Sequence, residues 1–591
     1  MIAERTVGGL SHPEKIEELD EELTKLIQDF DRAVNVEALR LAKETGKHAL
    51  HRIGDNAPSV VCVERELLLG KLKCVEAGYD LAGGCMEGTR QTILNDIMDW
   101  VANPQDGNNA IQKNTYWFYG SPGIGKTSLA HSICERLHDQ KHLAGAFFCR
   151  RDDPNLSKAK NILPTFINKL AGVFPPFRTI VAERLRKDPN LTPETMKPSV
   201  FLDFIRHLPR RPKHVLVFVL DAFDECGDED SRPPLLTVLT DAAAQVQWLR
   251  IIITSRPEVD IQRFFDTLHT RSHVSYDLAT DEGAGSDLRI FAKALFDRVA
   301  FKRHIQSPWP EPSCFDEIIS RAAGLFIFVK TIALALEHCK DPTAFLEATL
   351  DESAGSGLTS LYGLYSSILK ARILHSEDEF RQMIGVLIAT APYRPLCEDT
   401  IAQLAGVEPS LVKTWVDGLS SLFYRDEEAN REIRVRHLSI SDFFLSDDCK
   451  YKISLQDAHA QLGTACIQTM LSQLRFNICK LEDSRLTNAE IQDLQSRIRE
   501  NISDALHYSC LYWSNHLCSS PSNDNERVRE CLMKFFEGPC PLFWIEVLSL
   551  IGMLWMSIPS LRRVGSTWIK VRTIPGCCLL VLQGYFNISL V

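Results

Sequence analysis

The chain has 591 residues, 45% of them apolar and 24% charged, with a formal net charge of −11. That length is too great for one compact core and predicts roughly three to five domains. The acidic balance argues against a dedicated nucleic-acid binder, so no nucleic-acid partner is expected. Eighteen cysteines are spread along the chain without a C-x-x-C pair or a Cys/His cluster of zinc-finger spacing. They are expected to be reduced, mostly buried thiols of a cytoplasmic protein. Met1 to Asp20 is polar and acidic, without a signal-peptide pattern. The most apolar stretch, Leu542 to Ile558, is barely of membrane-spanning length and contains Glu546 and Ser549. It is expected to be a buried helix, and no membrane partner is expected.

In chain order, residues 14–53 carry Ile16, Leu19, Leu23, Leu26, Ile27 and Phe30 at helical spacing. Residues 1–84 are expected to form an N-terminal helical segment. Cys85 to Val101 predicts another helix, capped by Thr89, with Ile93, Ile97 and Trp100 on one face. Asn103 to Asn114 is rich in turn residues, so 85–114 is a helix followed by a linker. From 115 the pattern changes. TYWFYG (115–120), AGAFFCR (144–150), HVLVFVLD (214–221), WLRIIITSR (248–256) and SHVSYDL (272–278) are mainly apolar runs alternating with helical stretches. Such alternation predicts a parallel sheet covered on both faces, a doubly wound α/β domain over 115–280. Strand patterns then nearly vanish. A helical subdomain is expected at 281–352. Residues 358–450 are helical and end in EIRVRHLSISDFFLS, a strand running into a helix as in a winged helix. A helical domain is expected at 455–568 and an irregular tail at 569–591.

Residues 120–127, Gly120-Ser121-Pro122-Gly123-Ile124-Gly125-Lys126-Thr127, fit G-x-x-x-x-G-K-[ST] in full. A phosphate chain needs backbone N–H groups turned inward, and a glycine-rich loop permits that without Cβ clashes. Lys126 is the expected cation on the β- and γ-oxygens, Thr127 an expected Mg2+ ligand, and Ser128 continues the helix whose dipole faces the phosphates. The apolar run ending in Asp221 supplies a second acid, expected to hold Mg2+ through water. Just beyond it, Glu225 is the candidate for polarising the attacking water, and Asp224 for sharing the metal or water shell. Asp228, Glu229 and Asp230 are read as a solvated acidic turn. Arg256 ends the run IIITSR at the carboxyl edge of the sheet, where ligands bind in open α/β folds, and is the candidate γ-phosphate sensor. A lone histidine such as His437 is more often structural than a ligand.

At these motifs the chain resembles the NACHT branch of the signal-transduction ATPases with numerous domains. The specific part is Asp221-Ala-Phe-Asp224-Glu225. The forms it most resembles are fungal NACHT proteins with a nephrocystin-like NTPase domain, often followed by WD40 repeats. Cys85-x-x-Gly88-Thr89-Arg90 through Trp100, Ala323 to Phe328, Ala505 to Trp513 and Leu542 to Leu550 support that likeness, which covers roughly residues 60–570. The resemblance implies an α/β P-loop NTPase followed by helical, winged-helix and helical domains, with ATP/ADP and Mg2+ as cofactors. It implies a role for His437 on the ADP β-phosphate, although the surrounding HLSISDFFL lacks the Met-His-Asp of plant and animal relatives. ATP rather than GTP rests on it too, since no guanine-reading N/T-K-x-D segment stands out. No WD40 blade pattern is legible in the tail and no effector before residue 60, so both sensor and effector are expected to be missing, through truncation or a misplaced gene end. The leading expectation is a signalling switch, closed with ADP and open with ATP, that homo-oligomerises and acts on protein partners not identified. The rivals are a cycling ATPase that remodels a protein and a scaffold with a purely structural nucleotide.

Overall fold

The five apolar runs become strands because they are dense in β-branched and aromatic side chains and bounded by turns. In the computed structural model they are β1 (Thr115–Tyr119), β2 (Leu143–Phe148), β3 (Leu216–Asp221), β4 (Leu249–Ser255) and β5 (His273–Asp277). The structure describes residues 67–568 except 73–74, 76–77, 103–112, 209–213, 269–272, 307, 353–354, 374, 427–430, 484–485 and 521–525. The expected helix at 14–53, most of the 103–114 linker and the 569–591 tail lie outside the described residues. All five strands are parallel, in the order β2-β3-β4-β1-β5. β3 and β4 are buried along their whole lengths, which is why their sequences do not alternate.

Helices cover both faces. On one face α1 (Gln91–Ala102) and α2 (Lys126–Asp139) bury Ile97, Leu129 and Ile133 with Val217, Val219 and Ile252. On the other, α3 (Ile162–Val173), α4 (Pro175–Lys187), α5 (Pro198–Arg206), α6 (Arg232–Gln245) and α7 (Val259–Thr267) pack with Phe218, Leu220, Ile251 and Ile253. The domain is an α/β P-loop fold. Thr89 does not cap α1. Its hydroxyl donates to Met86 O at 2.7 Å, and the left-handed Arg90 (φ 56°) precedes the helix, its N–H donating to Asp287 Oδ2 at 2.9 Å. A tertiary carboxylate thus takes the amide next to the expected cap.

The remaining described chain is almost wholly helical. α8 (Ala284–Arg303), α9 (Pro312–Ala322), α10 (Phe326–His338) and α11 (Pro342–Glu352) follow the sheet. α12 (Leu358–Arg372), α13 (Glu377–Thr390), α14 (Glu398–Ala405) and α15 (Pro409–Gly418) lead into an antiparallel hairpin, β6 (Phe423–Asp426) and β7 (Glu432–Val435), and then α16 (Leu438–Leu445). β7 and α16 match the expected strand-to-helix passage; β6 was not expected. α17 (Leu455–Gln473), α18 (Leu494–Asn501), α19 (Asp504–Ser519), α20 (Glu526–Glu537), α21 (Cys540–Leu550) and α22 (Ser557–Trp568) complete it. α17 and α19 touch closely at Gly463, where a Cβ would lie 2.7 Å from Leu517 Cδ2. The apolar 542–558 stretch is part of this packing: Trp544 is fully buried and donates its indole N–H to Cys510 O at 2.8 Å. Glu546 within it accepts the amides of Asn477 and Ile478. Among the described residues no helix is long and apolar enough to cross a membrane.

Candidate nucleotide site

The loop between β1 and α2 is shaped by glycine. Gly123 (φ 82°) and Gly125 (φ 98°) lie in the left-handed region, Gly125 as the N-cap of α2. A Cβ on Gly123 would fall 2.0 Å from Ile327 Cγ2, and Ile327 N–H donates to Gly123 O at 3.2 Å, so the start of α10 presses directly on the loop. Ile124 turns inward against Gly120, and its carbonyl accepts a 3.0 Å bond from Arg90 Nη2. Pro122, Gly123, Gly125, Lys126, Thr127 and Ser128 line a cleft of about 1180 Å³. Lys126 Nζ donates to Gly120 O (2.7 Å) and Ser121 O (3.0 Å). Burial lowers its ammonium to about 8, against the pull of Asp224.

The acids face it from the end of β3. Burial pushes Asp221 up to about 6, with hydrogen bonds from Thr254 and Thr127 acting in the other direction. Ala222 is left-handed (φ 50°) and swings the chain into a short turn over Phe223–Glu225. Asp224 accepts the Arg256 N–H at 2.9 Å and lies 3.3 Å from its Nε. Both of its oxygens are therefore engaged by Arg256. Glu225 accepts the Arg151 N–H at 3.2 Å, and burial, then repulsion from Asp224, pushes it up to about 7. Asp228, Glu229 and Asp230 are exposed, and Asp228 accepts from Ser231.

Arg256 reaches across the cleft. Its Nη1 pairs with Asp442 Oδ2 of α16 at 2.7 Å, both side chains being mostly buried. His437, at the head of the same helix, also lines the cleft. The Ser439 amide donates to His437 Nδ1 at 3.2 Å, and the Ser439 hydroxyl lies 2.7 Å from Nδ1 and 2.8 Å from Tyr365 Oη. Burial, with Arg256, Lys126 and Lys330 nearby, pulls the ring down to about 3, so it is neutral. With Nδ1 accepting, its proton sits on Nε2. A second bridge, Arg434 to Asp152 at 3.3 Å, joins the hairpin to the residues after β2.

The residues fit a Mg-nucleotide. Among the described residues no carboxylate lies within ion-pair distance of the buried Lys126, while Asp221 and Glu225 are carboxylates that burial holds toward the protonated form. A partly buried cation facing carboxylates whose charge burial disfavours suits an anion with a cation beside it. Residues 88–256 match the nephrocystin 3 N-terminal family. No curated protein matches the chain. Among solved structures, a Walker-type ATPase of Pyrococcus abyssi aligns at 13% identity over 62% of this chain and 98% of its own, with a TM-score of 0.30. A STAND protein with a tetratricopeptide repeat sensor from Pyrococcus horikoshii aligns at 15% identity over 82% of this chain and 65% of its own, with a TM-score of 0.33. Drosophila ORC bound to DNA aligns at 12% identity over 64% and 98%, with a TM-score of 0.27.

Three residues join the candidate site that spacing alone did not assign. Arg90 is buried, pairs with Asp281 at 2.5 Å, supports the loop through Ile124 and lies 5.4 Å from the Phe326 ring centre. Asp442 holds Arg256, and Thr254 holds Asp221. Arg90 stands in the Gly88-Thr89-Arg90 motif and Thr254 in IIITSR, but nothing local to either motif states its partner.

Proposed function

We propose that the chain is a nucleotide-operated signalling switch of the NACHT kind, with ATP or ADP and Mg2+ bound at 120–127. The domains are taken as 115–280 for the NTPase, 281–352 for a helical subdomain, 358–450 for a winged helix and 455–568 for a C-terminal helical domain. The observation that carries the reading is the bridge from Asp224 through Arg256 to Asp442. The arginine read as the γ-phosphate sensor is held by a carboxylate from the helical part of the chain. The phosphate and Asp442 therefore compete for one guanidinium, and a ligand shifts a two-state protein only through such differential contacts.

Lys126 and the first-turn amides of α2 would take the phosphates, and the neutral His437 would offer its Nε2–H to a diphosphate in the closed form. Thr127 and Asp221 would hold Mg2+, which neutralises phosphate charge when bound. Glu225, once ionised, accepts a proton from the attacking water. Slow turnover without a partner resets the closed form. The protein is read as cytoplasmic, self-associating when open, and acting on further protein partners.

The test is size against nucleotide. Protein stripped of nucleotide and loaded with ADP is expected to elute as a monomer, and Mg-ATP to shift it to an oligomer. Fast steady turnover at constant size would favour the remodelling ATPase, and unchanged size and stability in Lys126→Ala the scaffold.

A further inference from the structure

Asp221 and Ala222 sit on the hinge that aims the acidic turn, and one side chain touches both. Thr254 Oγ1 donates to Asp221 Oδ1 at 2.5 Å and accepts the Ala222 N–H at 3.0 Å. Thr254 is fully buried, so no water replaces either bond. It lies in β4, where Phe118 is its partner in β1 and Leu220↔Ile253 sets the register with β3, so its hydroxyl arrives beside the last residue of β3. Threonine suits the place because its branched Cβ restricts χ1 in a strand.

Ala222 needs holding. Its φ of 50° and ψ of 47° lie where a Cβ is disfavoured. From there the chain forms the turn that presents Asp224 to Arg256 and Glu225 to the cleft, with Glu225 N–H donating to Ala222 O at 2.8 Å. Asp221 has two hydroxyl donors, Thr127 in the first turn of α2 and Thr254 on β4. If Thr127 turns to a metal, Thr254 remains as the donor that keeps the Asp221 carboxylate aimed.

We propose that Thr254 is a positioning residue: its hydroxyl clamps Asp221 and the left-handed Ala222 together and so presets the Mg2+ side of the site. This rests on the nucleotide-site reading for the metal, but the clamp itself is a property of the nucleotide-free chain.

The experiment compares Thr254→Val, which keeps the shape and removes the hydroxyl, with Thr254→Ser, which keeps the hydroxyl. In nucleotide-free full-length protein, amide exchange in the 216–226 segment is expected to speed up about tenfold in Thr254→Val and to stay near wild type in Thr254→Ser, the scale of one lost buried hydrogen bond. The Mg2+ concentration for half-maximal ATP binding is expected to rise about tenfold in Thr254→Val, while ADP binding in chelator stays within about twofold. Unchanged exchange in Thr254→Val, or Thr254→Ser behaving like Thr254→Val, would overturn the clamp. Absence of any Mg2+-dependent nucleotide binding in the wild type would overturn the nucleotide reading and leave the exchange result to decide the clamp. Should Thr254→Val not fold, Ala222→Gly is added, since glycine accepts the left-handed turn freely. The double variant is expected to fold and still to require about tenfold more Mg2+; wild-type Mg2+ dependence there would also overturn the clamp.

Discussion

At the scale of single residues, burial works against the charged forms of Lys126, Asp221 and Glu225. Glu225 is the clearest case, because burial and Asp224 hold it up at about 7 from an ordinary value of 4.5. An acid whose folded pKa is raised binds a proton in the folded state that the unfolded state has released, so stability falls as pH rises through that window. Nucleotide-free protein is therefore expected to lose stability between the two values, and Glu225→Gln to remove that part of the slope. Denaturant midpoints of the two proteins at about pH 5 and about pH 8 measure it; parallel losses would show that Glu225 is not the titrating group. In catalysis Glu225→Gln is expected to keep ATP affinity and to slow a single turnover by about 10²–10⁴-fold, the usual size of a lost general base. Wild-type turnover would remove Glu225 from that role. The residues found by spacing, Gly120 to Thr127 and Asp221, belong to local patterns, in which the chemistry is written within a few positions. The pairing of Asp224 with Arg256 is invisible in LVFVLDAFDE because Arg256 follows another strand, β4.

At the scale of elements, strands and helices were legible where one face or both are apolar for physical reasons. Leu216–Leu220 of β3 and Ile251–Ile253 of β4 are continuous apolar runs because helices cover them on both sides. β6 was not legible: FYRD is four residues long and only Phe423 in it is buried, so it carries no strand pattern of its own. The contacts between elements were the least legible. Asp442 pairs with Arg256 across 186 positions, and Arg90 with Asp281 across 191. The Asp442 bridge leads to a prediction at this scale. Asp442→Asn removes one carboxylate from Arg256 and leaves Asp224, so ADP is expected to dissociate several-fold faster and Mg-ATP to promote assembly at lower concentration, consistent with about 1–3 kcal/mol for a charged, partly buried hydrogen bond. Stopped-flow release of a fluorescent ADP measures it, and an unchanged rate would mean that α16 does not hold the closed form. Gly123→Ala probes the neighbouring seam. The new Cβ meets Ile327, and the left-handed φ disfavours it as well. Loss of nucleotide binding together with a lower melting temperature is expected, whereas loss of binding alone would place the strain in the loop only.

At the scale of the whole molecule, one continuous core runs from the α1–α2 face of the sheet through α10, α13, α17 and α19 to α21. The other face of the sheet has its own core. The α/β domain is thus joined to the helical segments by apolar packing on one side and by the ion pairs Arg256–Asp442 and Arg434–Asp152 around the cleft. Composition and length implied several modules, but not that the cleft at 120–127 would also be lined by side chains from the helical segments beyond residue 281, since that depends on packing between distant segments. The central claim is that residues 120–127 bind the nucleotide that works this assembly. The most direct measurement is a calorimetric titration of ATP and ADP into the full-length protein and Lys126→Ala. The wild type is expected to bind one nucleotide per chain and Lys126→Ala to show no binding; tight ATP binding by Lys126→Ala would contradict the account.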